Sequence, residues 1–329
     1  MQNRIQSVEE MKPAKLHRFA ELFAMTVPHR TNRTARRLVI ALALTIASLV
    51  NAAAATEVPV YDHVVIVIME NHSYDEIIGN ADAPYINSLA AQGANFTQYF
   101  AVAHPSQPNY IALFSGSAQG VTDDQCPFDF TGIDNLGAQL IAAGLSFTGY
   151  SEDLPQTGFT GCSSGLYARK HNPWVDFDTV PSSGNQPLTL FPTDYSTLPT
   201  LAFVIPNLCN DMHNCSVATG DAWLQSHLDG YVQWATTHNS LFVLTWDEDD
   251  HSQNNRIATV LVGAHVVPGS YADTGGHYRT LATLEAMYGL PPLGQANGVA
   301  PITTIWSDVI FTDGFEPPNA PIHQAPFSP

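Results

Sequence analysis

Two short polar segments, each directly after an apolar run, carry the groups best suited to chemistry. Residues 247–250 are four successive carboxylates after the run 241–246, and Glu70-Asn71 follow the run 64–69. Adjacent carboxylates repel one another in a partly desolvated site unless a cation compensates them. Taken alone, residues 247–250 could equally form an acidic surface turn. Oxygen ligands from two strand ends favour a hard or borderline divalent metal instead.

A serine in a third segment has the setting of a nucleophile. Residues 104–116 read HPSQPNYIALFSG, and Pro108 predicts the first turn of a helix, where its missing N–H costs nothing. Ser106 is then expected at the N-cap, a position where serine often serves as a cap alone. The same position favours anions, and a serine oxygen beside a divalent metal loses its proton far more easily than a free hydroxyl.

Alternating strand-like and helix-like segments would position these side chains. Apolar runs rich in β-branched residues predict buried strands, and helical patterns fall between them. The alternation predicts an α/β fold with a mainly parallel sheet covered by helices on both faces. The expected strands are 64–69, 146–150, 201–205, 241–246 and 259–262, and the expected helices are 85–92, 135–143, 221–237 and 278–288.

Polar residues also follow two further expected strands. Glu152-Asp153 follow one of them, and the segment 207–213 follows the other. Open α/β sheets place their chemistry at the carboxyl ends of the strands, so we expect these groups and the two acidic segments to meet at one edge. The segment 180–200, rich in Pro, Ser and Thr, is expected to be a long surface loop.

The first 55 residues have the pattern of a secretory signal peptide. Arg33, Arg36 and Arg37 precede an apolar run over 38–50, and small residues occupy 51–55. This order predicts cleavage and a secreted or periplasmic protein, with Met25 as an alternative start. An uncleaved anchor is the weaker alternative, because the run is short for a membrane span. Residues 56–310 would then form the catalytic domain, and the Pro-rich residues 311–329 a loosely packed tail.

Charge is distributed unevenly between this leader and the remainder. Eight of the 12 Lys and Arg residues but only three of the 30 Asp and Glu residues precede residue 56, which leaves four basic and 27 acidic residues. Such an acidic surface disfavours nucleic acid and stable association with anionic membranes. The four remaining cations are therefore informative, either as surface pairs or at the site of an anionic substrate. They are Arg169, Lys170, Arg256 and Arg279.

Four cysteines, an even number, lie in the part that would be exported. An even number in an exported chain suggests disulfides, and proximity in sequence favours the pairs Cys126–Cys162 and Cys209–Cys215. A zinc site is the weaker interpretation, since the spacing matches no common zinc pattern.

Several segments together resemble one enzyme family. They include residues 61–74 (YDHVVIVIMENHSY), 83–89 (APYINSL), 104–116 and 245–250 (TWDEDD), and the match continues through 167–174, 206–224 and 277–290. These segments resemble the phosphoesterase family of acid phosphatases and phosphatidylcholine-type phospholipases C, within the alkaline-phosphatase-like superfamily. The resemblance spans nearly the whole chain after residue 55 and implies an alkaline-phosphatase-like fold.

The resemblance implies a metal site and a nucleophile. Glu70, Asn71, Asp247 and Glu248 would hold one divalent metal ion, with Ser106 as the fifth ligand and the attacking group. Glu248 departs from the best-known form of the family's carboxylate pair.

Further residues would act on the substrate. Asn109 would donate to a phosphoryl oxygen, and His171 and His213 would contact the phosphate, one of them protonating the leaving group. Additional positive charge would come from Lys170, with Arg169, Arg279 and the neighbouring His277 as further candidates.

The implied activity is that of a secreted, metal-dependent acid phosphatase that hydrolyses phosphate monoesters through a phosphoserine. Phosphoryl transfer depends mainly on positioning and charge neutralisation, which these residue types provide. A small soluble monoester and a phosphoinositide are both candidate substrates. A phospholipase C-type phosphodiesterase is the alternative enzyme, and a non-catalytic metal-binding surface protein is the alternative from another class.

Overall fold

An eight-stranded mixed sheet organises the computed structural model, which describes residues 58–307. The order of strands across this sheet is β11-β2-β10-β9-β1-β8-β4-β7, and the remaining strands form the small pairs β12-β3 and β5-β6. The strands are β1 (His63–Met69), β2 (Ala94–Phe96), β3 (Tyr99–Phe100), β4 (Phe147–Ser151), β5 (Ser163–Ser164), β6 (Tyr167–Ala168), β7 (Asn185–Pro187), β8 (Leu201–Ile205), β9 (Ser240–Trp246), β10 (Thr259–Gly263), β11 (Gly269–Tyr271) and β12 (Gly275–Gly276).

The large sheet is mainly parallel. β9, β1, β8, β4 and β7 run parallel to one another, whereas β10 is antiparallel to both β9 and β2. Residues 64–69 of β1 are all buried, so both faces of this central strand are covered. A continuous apolar run is the composition expected of such a strand. The predicted fold class is confirmed.

Five of the six α-helices in the described part of the chain pack in two groups. The long helix α5 packs against α2, and α3 packs against α4 and α6. All ten residues of α3 are buried, so the helix that carries the candidate serine lies inside the protein. The helices are α1 (Tyr74–Ile77), α2 (Pro84–Gln92), α3 (Ser106–Ser115), α4 (Leu136–Ala142), α5 (Val217–Ala235) and α6 (His277–Tyr288).

The prediction that residues 180–200 form a plain surface loop is wrong. The segment contains β7 and three short 3-10 helices, and β7 extends the sheet beside β4. Asn185 at the start of β7 is buried and accepts a 2.9 Å hydrogen bond from the Trp174 indole. Pro187 made a strand look unfavourable in the sequence, because proline within a sheet is tolerated mainly in edge strands. β7 is such an edge strand.

Both predicted disulfides are present. Cys126–Cys162 joins the connection between α3 and α4 to the connection between β4 and β5, and Cys209–Cys215 closes a short loop after β8. Among the described residues no helix is long and apolar enough to cross a membrane. The predicted signal peptide (1–55) and tail (311–329) lie outside the described residues, so both stay predictions.

Candidate active site

Glu70 and Asp247 lie next to each other because β1 and β9 end in register. Met69 pairs with Trp246 in the parallel ladder, so the residue that follows each strand emerges at the same carboxyl edge. The Asn71 backbone N–H donates to Asp247 Oδ1 at 3.0 Å, and the Asn71 side-chain amide donates to Glu70 Oε2 at 3.0 Å. Asn71 adopts a left-handed φ of 57°, a conformation that asparagine tolerates better than most residues. Three of the predicted ligands therefore meet here.

Ser106 joins this group from the N-terminus of α3. Its Oγ donates to Glu70 Oε2 at 2.9 Å and lies 3.4 Å from Glu248 Oε1. The predicted N-cap position is wrong by one residue, since Pro105 is the cap and Ser106 is the first helical residue. The side chain thus points at the carboxylates and makes no capping bond, while the helix dipole at this end favours anions.

The carboxylates of this group are buried together with an excess of negative charge. Burial, reinforced by Asp247 and Asp211, raises the pKa of Glu70 well above its usual value. Burial and the neighbouring Asp247 likewise raise the pKa of Glu248 to about 8. Among residues 58–307, Asp247 Oδ2 has no hydrogen-bond partner, whereas Asp211 Oδ2 and Glu248 Oε2 each have only a histidine nitrogen nearby. Buried charges without partners are costly, so this donor set fits a divalent cation, which would compensate them.

His171 and Asp211 extend the group on the far side of Glu70. His171 Nε2 lies 3.1 Å from Glu70 Oε1, and His171 Nδ1 lies 3.4 Å from Asp211 Oδ2. Ligand atoms of these three residues lie within 4.8 Å of one another, so they too could contribute to holding a metal ion. Tyr110 stacks on the imidazole at 5.1 Å and donates to Glu70 Oε1 at 2.5 Å. Burial lowers the pKa of His171 well below its usual value, so the imidazole is neutral at neutral pH.

Lys170 directly precedes His171 and forms an ion pair with Asp124. Its Nζ donates to Asp124 Oδ2 at 2.7 Å, and its side chain is 18% exposed. Burial lowers the pKa of Lys170, but the hydrogen bond to Asp124 and the charge of Glu70 outweigh it and raise the pKa overall. The ammonium group is therefore charged and within electrostatic reach of the carboxylates.

His104 contacts the opposite side of the carboxylate group. Its Nδ1 lies 2.7 Å from Glu248 Oε2, and its Nε2 lies 3.1 Å from Asp249 Oδ1. Asp249 is buried and accepts hydrogen bonds from the backbone N–H groups of His251 and Gln253. Two of the carboxylates after β9 therefore have different contacts. Glu248 faces Ser106, whereas Asp249 accepts the hydrogen bonds that stabilise the turn after it.

Comparison with known proteins identifies the fold and the family. The model of the Phosphoesterase family matches residues 80–291, more than half of the chain. The chain belongs to the phosphoesterase family. It is 54% identical over 257 residues to a phosphatidylinositol-3-phosphatase of Mycobacterium tuberculosis, which covers 78% of this chain and 86% of the relative. It is also 30% identical to a probable acid phosphatase of Kluyveromyces lactis, covering 86% and 74% of the two chains.

A solved structure supports the same fold for this phosphoesterase. A protein of the alkaline phosphatase superfamily from Vibrio parahaemolyticus superposes with a TM-score of 0.54 at 14% identity, covering 75% of this chain and 72% of the other. The predicted family, the alkaline-phosphatase-like fold and the enzyme class, a phosphoric monoester hydrolase, are confirmed.

Two of the residues predicted to bind substrate have structural roles in this phosphoesterase. Both amide hydrogens of Asn109 donate to the carbonyls of Ala103 and Pro105, so Asn109 has no free donor for a phosphoryl oxygen. Arg169 is buried, pairs with Asp176 at 2.9 Å and donates to three backbone carbonyls. Neither predicted role fits this geometry, because the donors are already used.

His277 and Arg279 also differ from the prediction. His277 is buried at the start of α6, and its Nε2 contacts the backbone carbonyl of Asp247 at 2.7 Å. Burial lowers the pKa of His277 to about 4, so it supports the turn after β9 as a neutral side chain. Arg279 donates to the Thr274 carbonyl at 2.9 Å, beside Gly275, and makes no ion pair among the described residues.

His213 lies at the open side of the group. Its ring centroid is 6.1 Å from that of His171, and it is exposed, with Nδ1 2.8 Å from the Asn214 side-chain oxygen. The Cys209–Cys215 disulfide constrains this loop, as does the bond from the Glu70 N–H to the Asp211 carbonyl. The two predicted catalytic histidines are therefore neighbours, one buried and one open to solvent.

Proposed function

We propose that this phosphoesterase is a metal-dependent phosphatase that hydrolyses phosphate monoesters through a phosphoserine formed on Ser106. The observation that carries the proposal is the setting of the Ser106 hydroxyl. It is buried at the first residue of α3 and lies between Glu70 and Glu248, both at a sheet edge rich in carboxylates. A helix N-terminus beside a cation-binding group is a suitable place for an anionic phosphoryl group.

Ser106 is the proposed nucleophile of a two-step reaction. Its hydroxyl gives its proton to Glu70 Oε2, and Oγ forms a bond to phosphorus as the bond from phosphorus to the leaving alcohol breaks, which gives a phosphoserine. Water then attacks the same phosphorus, the bond from phosphorus to Oγ breaks, and the serine takes back a proton as inorganic phosphate leaves. Glu70 accepts the serine hydroxyl hydrogen bond in the resting site and so fixes the direction of Oγ.

The two histidines have different proposed roles because their surroundings differ. His171 is buried and neutral, so it can donate a hydrogen bond to a phosphoryl oxygen but carries no extra proton. His213 is exposed and reaches solvent, which supports assigning it as the acid that protonates the leaving alcohol. Lys170 adds positive charge near the phosphoryl position.

One divalent metal ion is the proposed cofactor. Glu70, Asn71, Asp247 and Glu248 would hold it beside Ser106, and the Asp247 Oδ2 atom, which lacks a hydrogen-bond partner among the described residues, supports this assignment. When bound, such an ion neutralises charge on the attacking and phosphoryl oxygens. His171 and Asp211 offer additional ligand atoms on the far side of Glu70.

The proposed substrates are phosphate monoesters, with a phosphoinositide 3-phosphate as the lipid candidate. The mycobacterial relative is named a phosphatidylinositol-3-phosphatase, and the fungal relatives are named acid phosphatases. Two disulfides support a secreted or periplasmic location, because thiols stay reduced in the cytosol.

A phosphate-release assay tests this proposal. Purified protein is assayed with p-nitrophenyl phosphate and with phosphatidylinositol 3-phosphate, before and after treatment with a chelator. We expect release that the chelator abolishes and added divalent metal restores. Full activity in metal-free protein, shown by elemental analysis, would rule out the metal-dependent mechanism.

A further inference from the structure

The Asp124 side chain connects the helix of the proposed nucleophile to the only lysine among the described residues. Its Oδ1 accepts the backbone N–H of Gln107 at 3.0 Å, and its Oδ2 accepts Lys170 Nζ at 2.7 Å. Gln107 directly follows Ser106 in the first turn of α3. One carboxylate therefore fixes the lysine ammonium at the end of the helix where the phosphoryl group would bind.

Other carboxylates of the site compete with Asp124 for the Lys170 ammonium. The ammonium interacts electrostatically with Glu70, Asp247 and Glu248, and its charge offsets part of the rise in the pKa of Glu70 and of Glu248. A lysine side chain has four rotatable bonds, so an unrestrained ammonium samples many positions. Without Asp124 the strongest attraction would come from the buried carboxylates, which would draw the charge away from an incoming phosphate.

The position of Asp124 is itself restrained by a covalent link. Asp124 lies two residues before Cys126, whose disulfide partner Cys162 accepts a 3.0 Å hydrogen bond at its carbonyl from the Arg169 N–H. Arg169 is the residue before Lys170. The disulfide therefore joins the connection that carries the carboxylate to the strand pair β5-β6 that leads to the lysine.

We propose that Asp124 is a positioning residue that holds the Lys170 ammonium toward the phosphoryl group, and that the Cys126–Cys162 disulfide keeps this pair in place. The inference rests on the proposed function of Ser106 as the nucleophile. It assigns no contact between Asp124 and the substrate. Its effect on phosphate binding passes through Lys170.

A double-mutant cycle with inorganic phosphate as the probe tests this inference. Asp124→Asn keeps an oxygen for the Gln107 N–H but removes the charge that holds Lys170. We expect Asp124→Asn to raise the Ki of inorganic phosphate, and the KM of p-nitrophenyl phosphate, on the order of threefold to tenfold with a smaller change in kcat. In a Lys170→Ala background the same substitution should have no further effect on Ki.

Asp123→Asn is the matched control and should leave Ki unchanged, because in the described part of the chain Asp123 hydrogen-bonds only to Gln125. Asp124→Glu, which keeps the charge, should restore part of the affinity. A lower Ki in Asp124→Asn, or an effect that adds fully to that of Lys170→Ala, would overturn the inference. A lower melting temperature with unchanged Ki would also overturn it, because the pair would then only stabilise the fold.

Removing the disulfide gives a second readout. The Cys126→Ser/Cys162→Ser variant should raise Ki in the same direction as Asp124→Asn, and the two changes combined should be less than additive. Full additivity contradicts the proposed role of the disulfide. Each of these outcomes is separate from the activity of Ser106→Ala, which alone decides whether Ser106 is the nucleophile.

Discussion

Glu70 Oε2 accepts the Ser106 hydroxyl at 2.9 Å, although the two residues are 36 positions apart in the sequence. The same oxygen accepts the Asn71 amide, and the other oxygen accepts the Tyr110 hydroxyl. Glu70 is therefore oriented from three directions. Because a carboxylate so restrained cannot rotate freely, it fixes the direction of the serine side chain relative to the sheet edge.

The serine prediction follows from this contact. Ser106→Ala should lower kcat by about 10³-fold or more, because the attacking oxygen is lost while the buried helix is kept. Circular dichroism and thermal unfolding should match wild type. Ser115→Ala, at the other end of the same helix, is the control and should retain activity, since Ser115 bonds only to backbone carbonyls and to Gln119. Retention of a tenth of the wild-type turnover in Ser106→Ala would exclude the assignment.

The metal prediction concerns the carboxylates after β9. Asp247→Asn removes one negative charge from the buried group and should lower both metal content, measured by elemental analysis, and kcat/KM. Asp250→Asn is the control, because Asp250 is exposed and bonds only to Ser252. Equal metal content and activity in Asp247→Asn and wild type would contradict the ligand assignment.

Lys170 should act on binding more than on turnover. Lys170→Ala removes the only lysine among the described residues and should raise KM by more than it lowers kcat, because the ammonium attracts the phosphate before reaction. The excess of acidic over basic residues also repels an anionic substrate, and salt screens this repulsion. We therefore expect kcat/KM to rise with salt in wild type. Kinetics of Lys170→Ala that equal wild type at low salt would show that the pair with Asp124 is structural.

Glu285 should make the protein less stable as the pH rises. It is buried in α6 and accepts the Leu293 N–H through Oε1, while Oε2 has no hydrogen-bond partner within residues 58–307. Burial raises the pKa of Glu285 from 4.5 to about 7, so the folded state holds a proton that the unfolded state releases between these pH values. The contribution of Glu285 to the free energy of unfolding is therefore complete below pH 4.5 and is lost as the pH rises toward 7.

The variant Glu285→Gln isolates this effect. It keeps an accepting oxygen for Leu293 but cannot ionise, so it should be more stable than wild type by about 1–3 kcal/mol at pH 8. At pH 4 the difference should be close to zero. Thermal unfolding of both proteins at equal metal loading measures it, and a pH-independent difference would exclude ionisation as the cause.

The central sheet and the meeting of Glu70 with Asp247 at its edge were predictable from sequence because local patterns encode them. β1 and β9 are continuous apolar runs of adequate length, and the polar residues that follow them must emerge at one sheet edge once the strands pair in parallel. The disulfide pairs followed from short separations along the chain. Parallel pairing is thus enough to bring Glu70 and Asp247 together.

Other parts of the site could not be predicted, because they depend on tertiary contacts. Asp124 reaches the site from a connection without periodicity, and Tyr110 reaches it from a buried helix. No feature of the sequence around either residue distinguishes it from a structural residue. The roles predicted for Asn109 and Arg169 failed for the converse reason. Their residue types suit phosphate, but the fold uses their donors for backbone carbonyls.

The position of β1 in the sheet has a consequence for how the chain folds. β1 is the first of the large sheet's strands along the chain, yet its two neighbours, β8 and β9, begin at Leu201 and Ser240. During synthesis, more than a hundred further residues must therefore be added after the apolar segment 64–69 before either neighbouring strand has been made. Such long-range strand pairing forms slowly and leaves an aggregation-prone apolar strand exposed. A nascent chain shorter than about 240 residues should therefore depend on chaperones to stay soluble.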